Sequence, residues 1–340
     1  MSALARRAGG ATRPGPWDIP SDSLGRGLCD GLMNVSGLSL RDLEYAVAVA
    51  ELGSFVKAAE RCHVSQPSLS VQIGKLEARL GTVLFERTTR RLMVTPQGVR
   101  LVEQMRKILL ESRNLLAICS EATRPFGGAL RLSAIATLGP YYFPRILPGL
   151  RAQYAELSLV LGEGRTEELV GGLLRGDLDA VLVAAPVPDP GVMVAPLFRE
   201  PFLMACPTGH SAASHAEVGW IGLQPRERLL LEEGHCLRDQ AIAACAEVDP
   251  ATRHATSLET LKYMVAAGEG CTLVPALAAG QETGVEYAPL KGAEYRRTIV
   301  LAWRASDPRG ESFEGLARCL RDLVPAEVEA APGRGKTPGA

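Results

Sequence analysis

Apolar residues recur every three or four positions from Leu40 to about residue 121, and the rhythm then changes to short apolar runs alternating with helical stretches. In the first region Ser39-Leu40-Arg41-Asp42 reads as a capping box opening a helix, with Leu43, Val47 and Ala50 on one stripe and Gly53 as its stop. Ser54 caps a second helix through Ala58, Ala59 and Glu60, and Cys62-His63-Val64 makes the turn. Ser65 caps a third, with Pro67 in its first turn and Leu69, Ile73, Leu76 and Leu80 on one face. Short helices joined by a tight turn, the later one opening on small polar residues, predict a helix-turn-helix. A longer helix is predicted from Thr95-Pro96 to about Glu121, on which Leu101, Met105, Ile108, Ser112, Leu115 and Cys119 alternate at spacings of four and three. That heptad seam suits packing against the chain's own second half or, preferably, a homodimer that reads two half-sites.

Beyond Arg124-Pro125-Phe126-Gly127-Gly128 the pattern predicts strand Ala129 to Ala134, helix Pro140 to Gln153, strand Leu157 to Leu161, helix Thr166 to Arg175 and strand Ala180 to Ala184. Such alternation implies a parallel sheet with crossover helices. Around Phe198-Arg199-Glu200-Pro201 the chain is expected to enter a second α/β lobe, returning through a strand Thr298 to Trp303 and a helix Glu311 to Leu323. The expected fold is an N-terminal all-α winged helix-turn-helix (38–95), a long linker and dimerisation helix (96–122) and an α/β two-lobed effector domain (126–325). Lobe I takes about 126–199 plus 298–325, and lobe II about 200–297. Two lobes with a cleft between them suit ligand sensing.

Composition narrows the class. At 340 residues and 46% hydrophobic content the chain can build real cores, and no apolar run approaches the length of a membrane span. The first thirty residues have no apolar signal region, so the cytoplasm is the expected location and no membrane partner is expected. Gly9-Gly10, Pro14, Pro16 and Pro20 mark residues 1–37 as an unstructured or spurious extension, with Met33 a candidate start. Residues 326–340, with Pro332-Gly333-Arg334-Gly335-Lys336, read as a flexible tail. Net charge is −1, yet residues 65–100 hold six Lys or Arg against two Glu, which is +4 and leaves −5 for the remainder. A basic block in an otherwise acidic chain points to one region built for a polyanion, and beside a helix-turn-helix that polyanion is expected to be double-stranded DNA. The expected contacts are Ser65, Gln66, Pro67, Ser68, Gln72 and Lys75 on the third helix, and Arg87, Arg90 and Arg91 on a basic wing. Glutamine can bond adenine edges, serine several bases, and lysine or arginine phosphate.

Eight cysteines are scattered with no CxxC pair, so most read as ordinary buried thiols. Cys236 differs, because Gly234-His235-Cys236-Leu237-Arg238-Asp239-Gln240 followed by Cys245 reads as a reactive thiol with a resolving partner on one short segment. A continuous helix would hold the two Cα atoms roughly 13 Å apart and on opposite faces. A disulfide spans only about 4.4 to 6.8 Å, so joining them requires the segment to unwind or bend. A helix start after Gly234, with His235 and Arg238 as cations, would favour a thiolate at Cys236, while Asp239 opposes it. His235, Cys236 and Cys245 match no common zinc spacing, so no metal and no cofactor are expected.

Leu40-Arg41-Asp42-Leu43-Glu44-Tyr45, Ala58-Ala59, Cys62 through Ser70, Lys75-Leu76-Glu77 and Leu84-Phe85-Glu86-Arg87 resemble the N-terminal domain of the LysR-type transcriptional regulators. Within that family Gly234 to Gln240 with Cys245, Ala255 through Leu261 and Met264 through Gly268 resemble the peroxide-sensing branch, and the likeness runs from about Leu38 to Leu323. It implies a periplasmic-binding-protein-like effector domain, a cytoplasmic homotetramer bound to promoter DNA in both redox states, and contact with RNA polymerase. It also implies that Thr137 and Thr166 face the Cys236 thiol, although each also suits a helix cap. Hydrogen peroxide would oxidise Cys236 to a sulfenic acid, which condenses with Cys245, and a cellular dithiol reductant would reset the pair. Oxidative-stress defence genes, mainly activated, would be the output. Three positions depart from the pattern: Gly74 where a long polar residue is usual, His254 where Arg precedes Ala-Thr-Ser, and Gly162 where some relatives carry His. A regulator sensing a metabolite in the interlobe cleft, with structural cysteines, is the alternative. The helix-turn-helix argues against a thiol peroxidase, and no enzyme activity is expected.

Overall fold

The structure, a computed structural model, describes residues 37–87, 92–121, 126, 129–214, 220–244 and 253–331. The chain divides into two units, residues 1–95 and 96–340.

In the first unit each helix begins where the sequence places a serine. Ser39 Oγ accepts the Asp42 N–H at 3.2 Å and the Asp42 carboxylate accepts the Ser39 N–H at 3.1 Å, opening α1 (Leu40–Leu52). Gly53 ends it at φ 56, a left-handed conformation that glycine adopts without steric cost. Ser54 Oγ accepts the Lys57 N–H to open α2 (Phe55–Arg61), and Ser65 Oγ accepts the Ser68 N–H to open α3 (Gln66–Leu80). Leu43, Val47, Ala58, Leu69, Ile73 and Leu76 are buried between the three helices. Two short antiparallel strands follow, β1 (Phe85–Arg87) and β2 (Leu92–Val94). Glu77 Oε1 accepts the N–H groups of Leu84 and Phe85 at 2.7 and 3.1 Å, so α3 fixes the base of the wing.

The second unit starts with α4 (Pro96–Glu121). Lobe I then folds as β3 (Ala129–Ile135), α5 (Gly139–Gln153), β4 (Ser158–Gly164), α6 (Thr166–Arg175) and β5 (Ala180–Ala184). The 16-residue strand β6 (Val192–Pro207) runs out of lobe I into lobe II. Lobe II adds α7 (Ser211–Ser214), β7 (Leu229–Leu231), α8 (Cys236–Ala243), β8 (Arg253–Ala255), α9 (Leu258–Ala266), β9 (Thr272–Pro275) and β10 (Val285–Pro289). The chain returns through β11 (Arg296–Arg304), α10 (Gly310–Asp322) and the short β12 (Glu329–Ala330).

The main sheet has the order β10-β6-β11-β5-β3-β4. Only β3, β4 and β5 are parallel, as the βα alternation predicts. β11 runs antiparallel to both β5 and β6, so the expected parallel sheet is in fact mixed. Lobe I buries Leu132, Tyr142, Phe198, Leu301 and Phe313, and lobe II buries Phe202, Met204, Trp220 and Leu261. β6 carries both cores, with Phe198 facing one and Phe202 the other.

The linker helix corrects the expectation of an open seam. Met105 is 4% exposed within the single chain, whereas Ile108 and Leu115 are 39% and 64% exposed. Leu101 is half-buried. Part of the helix packs on its own lobe, where Arg113 donates to the Gly176 carbonyl and Leu110 leaves no room for a side chain at Gly176. The large apolar side chains that stay open on α4, among the described residues, are Val99, Ile108, Leu115, Leu116 and Ile118.

Candidate DNA interface and redox site

The first turn of α3 presents Gln66, Pro67 and Ser68 to solvent, with Lys75 exposed further along and Gln72 half-buried. Ser65 has a structural task, since its hydroxyl oxygen already accepts the Ser68 N–H at 3.3 Å. Gly74 is exposed, and a Cβ there would meet nothing within 4 Å. Its lack of a side chain is therefore not a packing requirement. Arg90 and Arg91, and the side chain of Arg87, lie outside the described residues.

In the second unit Cys236 is the first residue of α8, with His235 in the cap position. The helix belongs to lobe II, where Leu237 and Ala241 enter the core and Trp220 Nε1 donates to the Ala241 carbonyl at 3.0 Å. Cys236 itself is half-buried and packs against the core of lobe I. One thiol thus sits on the seam between the lobes. Gly234 precedes it at φ 89, and the Arg165 side chain from lobe I fills the space a Cβ would need. Arg165 Nη2 lies 3.8 Å from Glu232 Oε2, a second tie across the seam.

His235 is buried, and burial together with the Arg165 charge pushes its pKa down. The expectation of a histidinium beside the thiol is corrected: near neutral pH this imidazole is uncharged. Arg238 spends its guanidinium on the Leu231 carbonyl at 2.9 Å, with His254 Nδ1 3.4 Å away, so it fastens α8 to β7 and β8. Arg253 pairs with Glu269, leaving His254 beside Arg238. Asp239 is exposed. Cys245 lies outside the described residues.

Neither threonine serves as the helix cap that its position also suited. Thr137 is buried, its hydroxyl oxygen accepts from Arg297 Nη1 at 2.8 Å and its carbonyl from Arg297 Nη2 at 3.0 Å. Arg297 in turn pairs with Glu200 at 2.7 Å, both fully buried where β6 and β11 cross between the lobes, and Glu200 accepts the Leu277 N–H. Thr166 opens α6 one residue after its cap, and its buried Oγ1 has no partner among the described residues. The same holds for Gln240 Oε1, one helical turn from Cys236 on the same face of α8. Each of these two buried oxygens, one on α6 and one on α8, has hydrogen-bonding capacity left over. Sequence reasoning passed over Gln240, although the four-residue spacing from Cys236 was a readable signal. At Gly162 a Cβ would fall 2.7 Å from Ser133 Oγ, a hydroxyl that would have to turn aside to admit a side chain.

Tyr141 closes the seam on another side. It packs on both cores, and its hydroxyl donates to Glu259 Oε1 at 2.6 Å, while Lys262 bridges Glu259 and Glu282.

Residues 123–325 match the LysR substrate binding domain, and residues 40–99 match the bacterial regulatory helix-turn-helix of the lysR family. The chain belongs to the LysR family. The hydrogen peroxide-inducible genes activator of Dickeya chrysanthemi is 42% identical over 298 residues, covering 86% of this chain and 98% of the relative. A full-length cysteine-to-aspartate variant of OxyR from Pseudomonas aeruginosa superposes with a TM-score of 0.71 at 35% identity, covering 88% of this chain and 99% of that one. A peroxide-bound cysteine-to-serine variant of OxyR from Corynebacterium glutamicum gives 0.57 at 32% identity, covering 84% and 92%. The LysR assignment fixes the coarse role, a helix-turn-helix regulator with a two-lobed effector domain. No helix among the described residues is long and apolar enough to cross a membrane.

Proposed function

We propose that this LysR-family regulator senses hydrogen peroxide through Cys236 and Cys245 and controls oxidative-stress genes from promoter DNA. The observation that carries the reading is the position of Cys236, rooted in lobe II yet packed on the core of lobe I. The thiolate attacks one peroxide oxygen, the S–O bond forms as the O–O bond breaks, and the departing hydroxide takes a proton to leave as water. Thr166 Oγ1 and Gln240 supply hydrogen bonds to the peroxide, and Thr137, held by Arg297, sets the wall of the pocket. Cys245 then displaces hydroxide from the sulfenic acid to give the disulfide, and a cellular dithiol reduces it back. A relative named as a hydrogen peroxide-inducible genes activator and a solved OxyR variant with peroxide bound support the same reading. A metabolite cleft fits less well, because Tyr141 packs on both cores and Cys236 on the core of lobe I.

The mechanical step follows from α8. Cys236 and Ala243 span seven helical steps, about 10 Å, already beyond the reach of a disulfide. Bridging to Cys245 therefore unwinds α8 and withdraws Cys236 from lobe I. DNA is read by α3 and the wing, and the open apolar face of α4 pairs two copies, which associate further as a cytoplasmic homotetramer that engages RNA polymerase. The role is regulatory, each chain turning over peroxide only to set its own state. C236S is expected to retain promoter binding and to show the same footprint with and without peroxide. A normal peroxide-dependent footprint in C236S, or peptide mass spectrometry finding Cys236 unmodified after peroxide, overturns the assignment.

A further inference from the structure

Cys206, His210 and Cys271 have no part in the chemistry assigned above, and their spacing in sequence gives no warning that they meet. Topology brings them together in lobe II. β6 and β9 run antiparallel with Ala205 opposite Thr272 and Met204 opposite Leu273. Continuing that register by one rung sets Cys206 against Cys271 and directs both thiols to one face. The turn after β6 then folds back: the His210 N–H bonds to the Pro207 carbonyl at 3.0 Å, with Gly209 at φ 77 in the third position of the turn. This return places His210 Nδ1 3.8 Å from Cys271 Sγ. The ligand atoms of Cys206, His210 and Cys271 all lie within 4.8 Å of one another.

The surroundings prepare these atoms for a cation. Nδ1 accepts the Ala212 N–H at 3.2 Å, so its single lone pair is held by that amide while the atom stays beside the Cys271 sulfur. Both sulfurs are buried, whereas His210 is partly exposed, so the cluster has one wet side. Glu286 stands opposite Cys206 in the β10–β6 register and accepts the Gly209 N–H at 3.3 Å, placing a negative charge beside the cluster. Two thiols buried alone would read as small hydrophobes. An imidazole nitrogen turned onto them gives this core a ligand set.

We propose that Cys206, Cys271 and His210 Nδ1 bind a thiophilic divalent ion, zinc, with water completing a tetrahedron on the exposed side. Two thiolates and an imidazole select zinc over magnesium or calcium, which prefer oxygen. Zinc–sulfur bonds of about 2.3 Å place tetrahedral ligand atoms roughly 3.8 Å apart, so the cluster contracts by about 1 Å at most. Binding releases the two thiol protons, and the Ala212 N–H gives up its hold on Nδ1. The ion would tie the end of the lobe-crossing strand β6 to β9. It would also shield two thiols from peroxide, confining oxidation to the α8 segment.

Cobalt reports on such a site directly. The full chain, reduced and stripped of metal, is titrated anaerobically with Co2+ and then with Zn2+. The expected result is one Co2+ per chain, with thiolate-to-cobalt charge-transfer absorption and tetrahedral visible bands, displaced by one equivalent of Zn2+. C206S and C271S each abolish the charge-transfer signal of the pair. H210A, on a surface turn, shifts the visible bands and carries the test if either serine variant fails to fold. The double variant C236S and C245S keeps the whole signal. Absence of charge-transfer absorption in the native chain overturns the proposal, as does a signal unaffected by H210A, or one lost with C236S and C245S.

Discussion

α3 and α8 both open on the residues to which we assign their chemistry, yet they are built to opposite ends. α3 has 15 residues, a serine cap bonded to its first turn and a left-handed glycine stop. α8 has eight residues, no side-chain cap bond at His235, and ends at Ala244 without a glycine. A missing cap is worth about 1 kcal/mol, and helices this short are marginal without tertiary support. Besides the Arg238 bond to Leu231, what holds α8 is Leu237 in the lobe II core, worth about 1.5 to 3 kcal/mol, and the Trp220 bond to Ala241, worth about 1 kcal/mol. Losing the last two contacts alone costs about 2.5 to 4 kcal/mol, equivalent to raising the disulfide potential by about 55 to 85 mV. The contrast teaches where change is allowed: the DNA reader is fixed by its own ends, and the redox segment is held by contacts that oxidation can trade away.

The largest effect that sharpens this contrast lies outside both helices. Glu200→Gln leaves Arg297 buried without its counter-charge and is expected to cost about 3 to 5 kcal/mol in chemical denaturation. The disulfide potential should not move, because the strand crossing is the stationary part. A potential shifted along with stability would make the crossing part of the switch. Smaller, and aimed at the helices themselves, are two reciprocal changes. Ser65→Ala removes the α3 cap, costing about 1 kcal/mol of stability and weakening promoter binding without altering the redox midpoint. His235→Ser gives α8 the cap it lacks, and a gain of about 1 kcal/mol in the reduced form raises the midpoint by about 20 mV. Equal midpoints for native chain and His235→Ser would break the comparison.

The smallest effect is a pH dependence at the Tyr141 tie between the lobes. Burial pulls Glu259 and Glu282 up, but hydrogen bonds from Lys262, and from Tyr141 and Tyr287 respectively, outweigh it and leave both carboxylates below their ordinary range. A lowered folded pKa means stability present above the unfolded value of about 4.3 and lost as pH falls through the folded one. Denaturation midpoints should therefore show this contribution constant from neutral pH down to about pH 5 and fading below about 4.3, and Lys262→Met should flatten that fall.

Much of this architecture was legible in the chain. Ser39, Ser54 and Ser65 announce three helix starts because a cap is a local contract between a side chain and amides three residues on. The βα alternation from Ala129 to Ala184 was readable for the same reason, since each period is local. Strand direction was not: nothing in the pattern of β11 says that it runs against β5, and with Pro196, Pro201 and Pro207 in it the 16-residue strand β6 was read only as a passage between lobes. At the site, Cys236 was marked by its neighbours, whereas the neutrality of His235 depends on burial and on Arg165 from the other lobe. Thr137 was expected at the thiol's pocket, but its bonds to Arg297 exist only because β11 returns to lobe I. Residue spacing could not show Cys206, His210 and Cys271 together, since the β6–β9 register and the turn after β6 assemble them.

Amide hydrogen exchange across α8 in the reduced chain and in the peroxide-treated chain tests the central claim most directly. The account predicts that amides between Ala241 and Ala244 lose their protection when the Cys236–Cys245 disulfide forms, while those of α3 exchange at the same rate in both forms. A disulfide verified by mass spectrometry with α8 protection unchanged would contradict it.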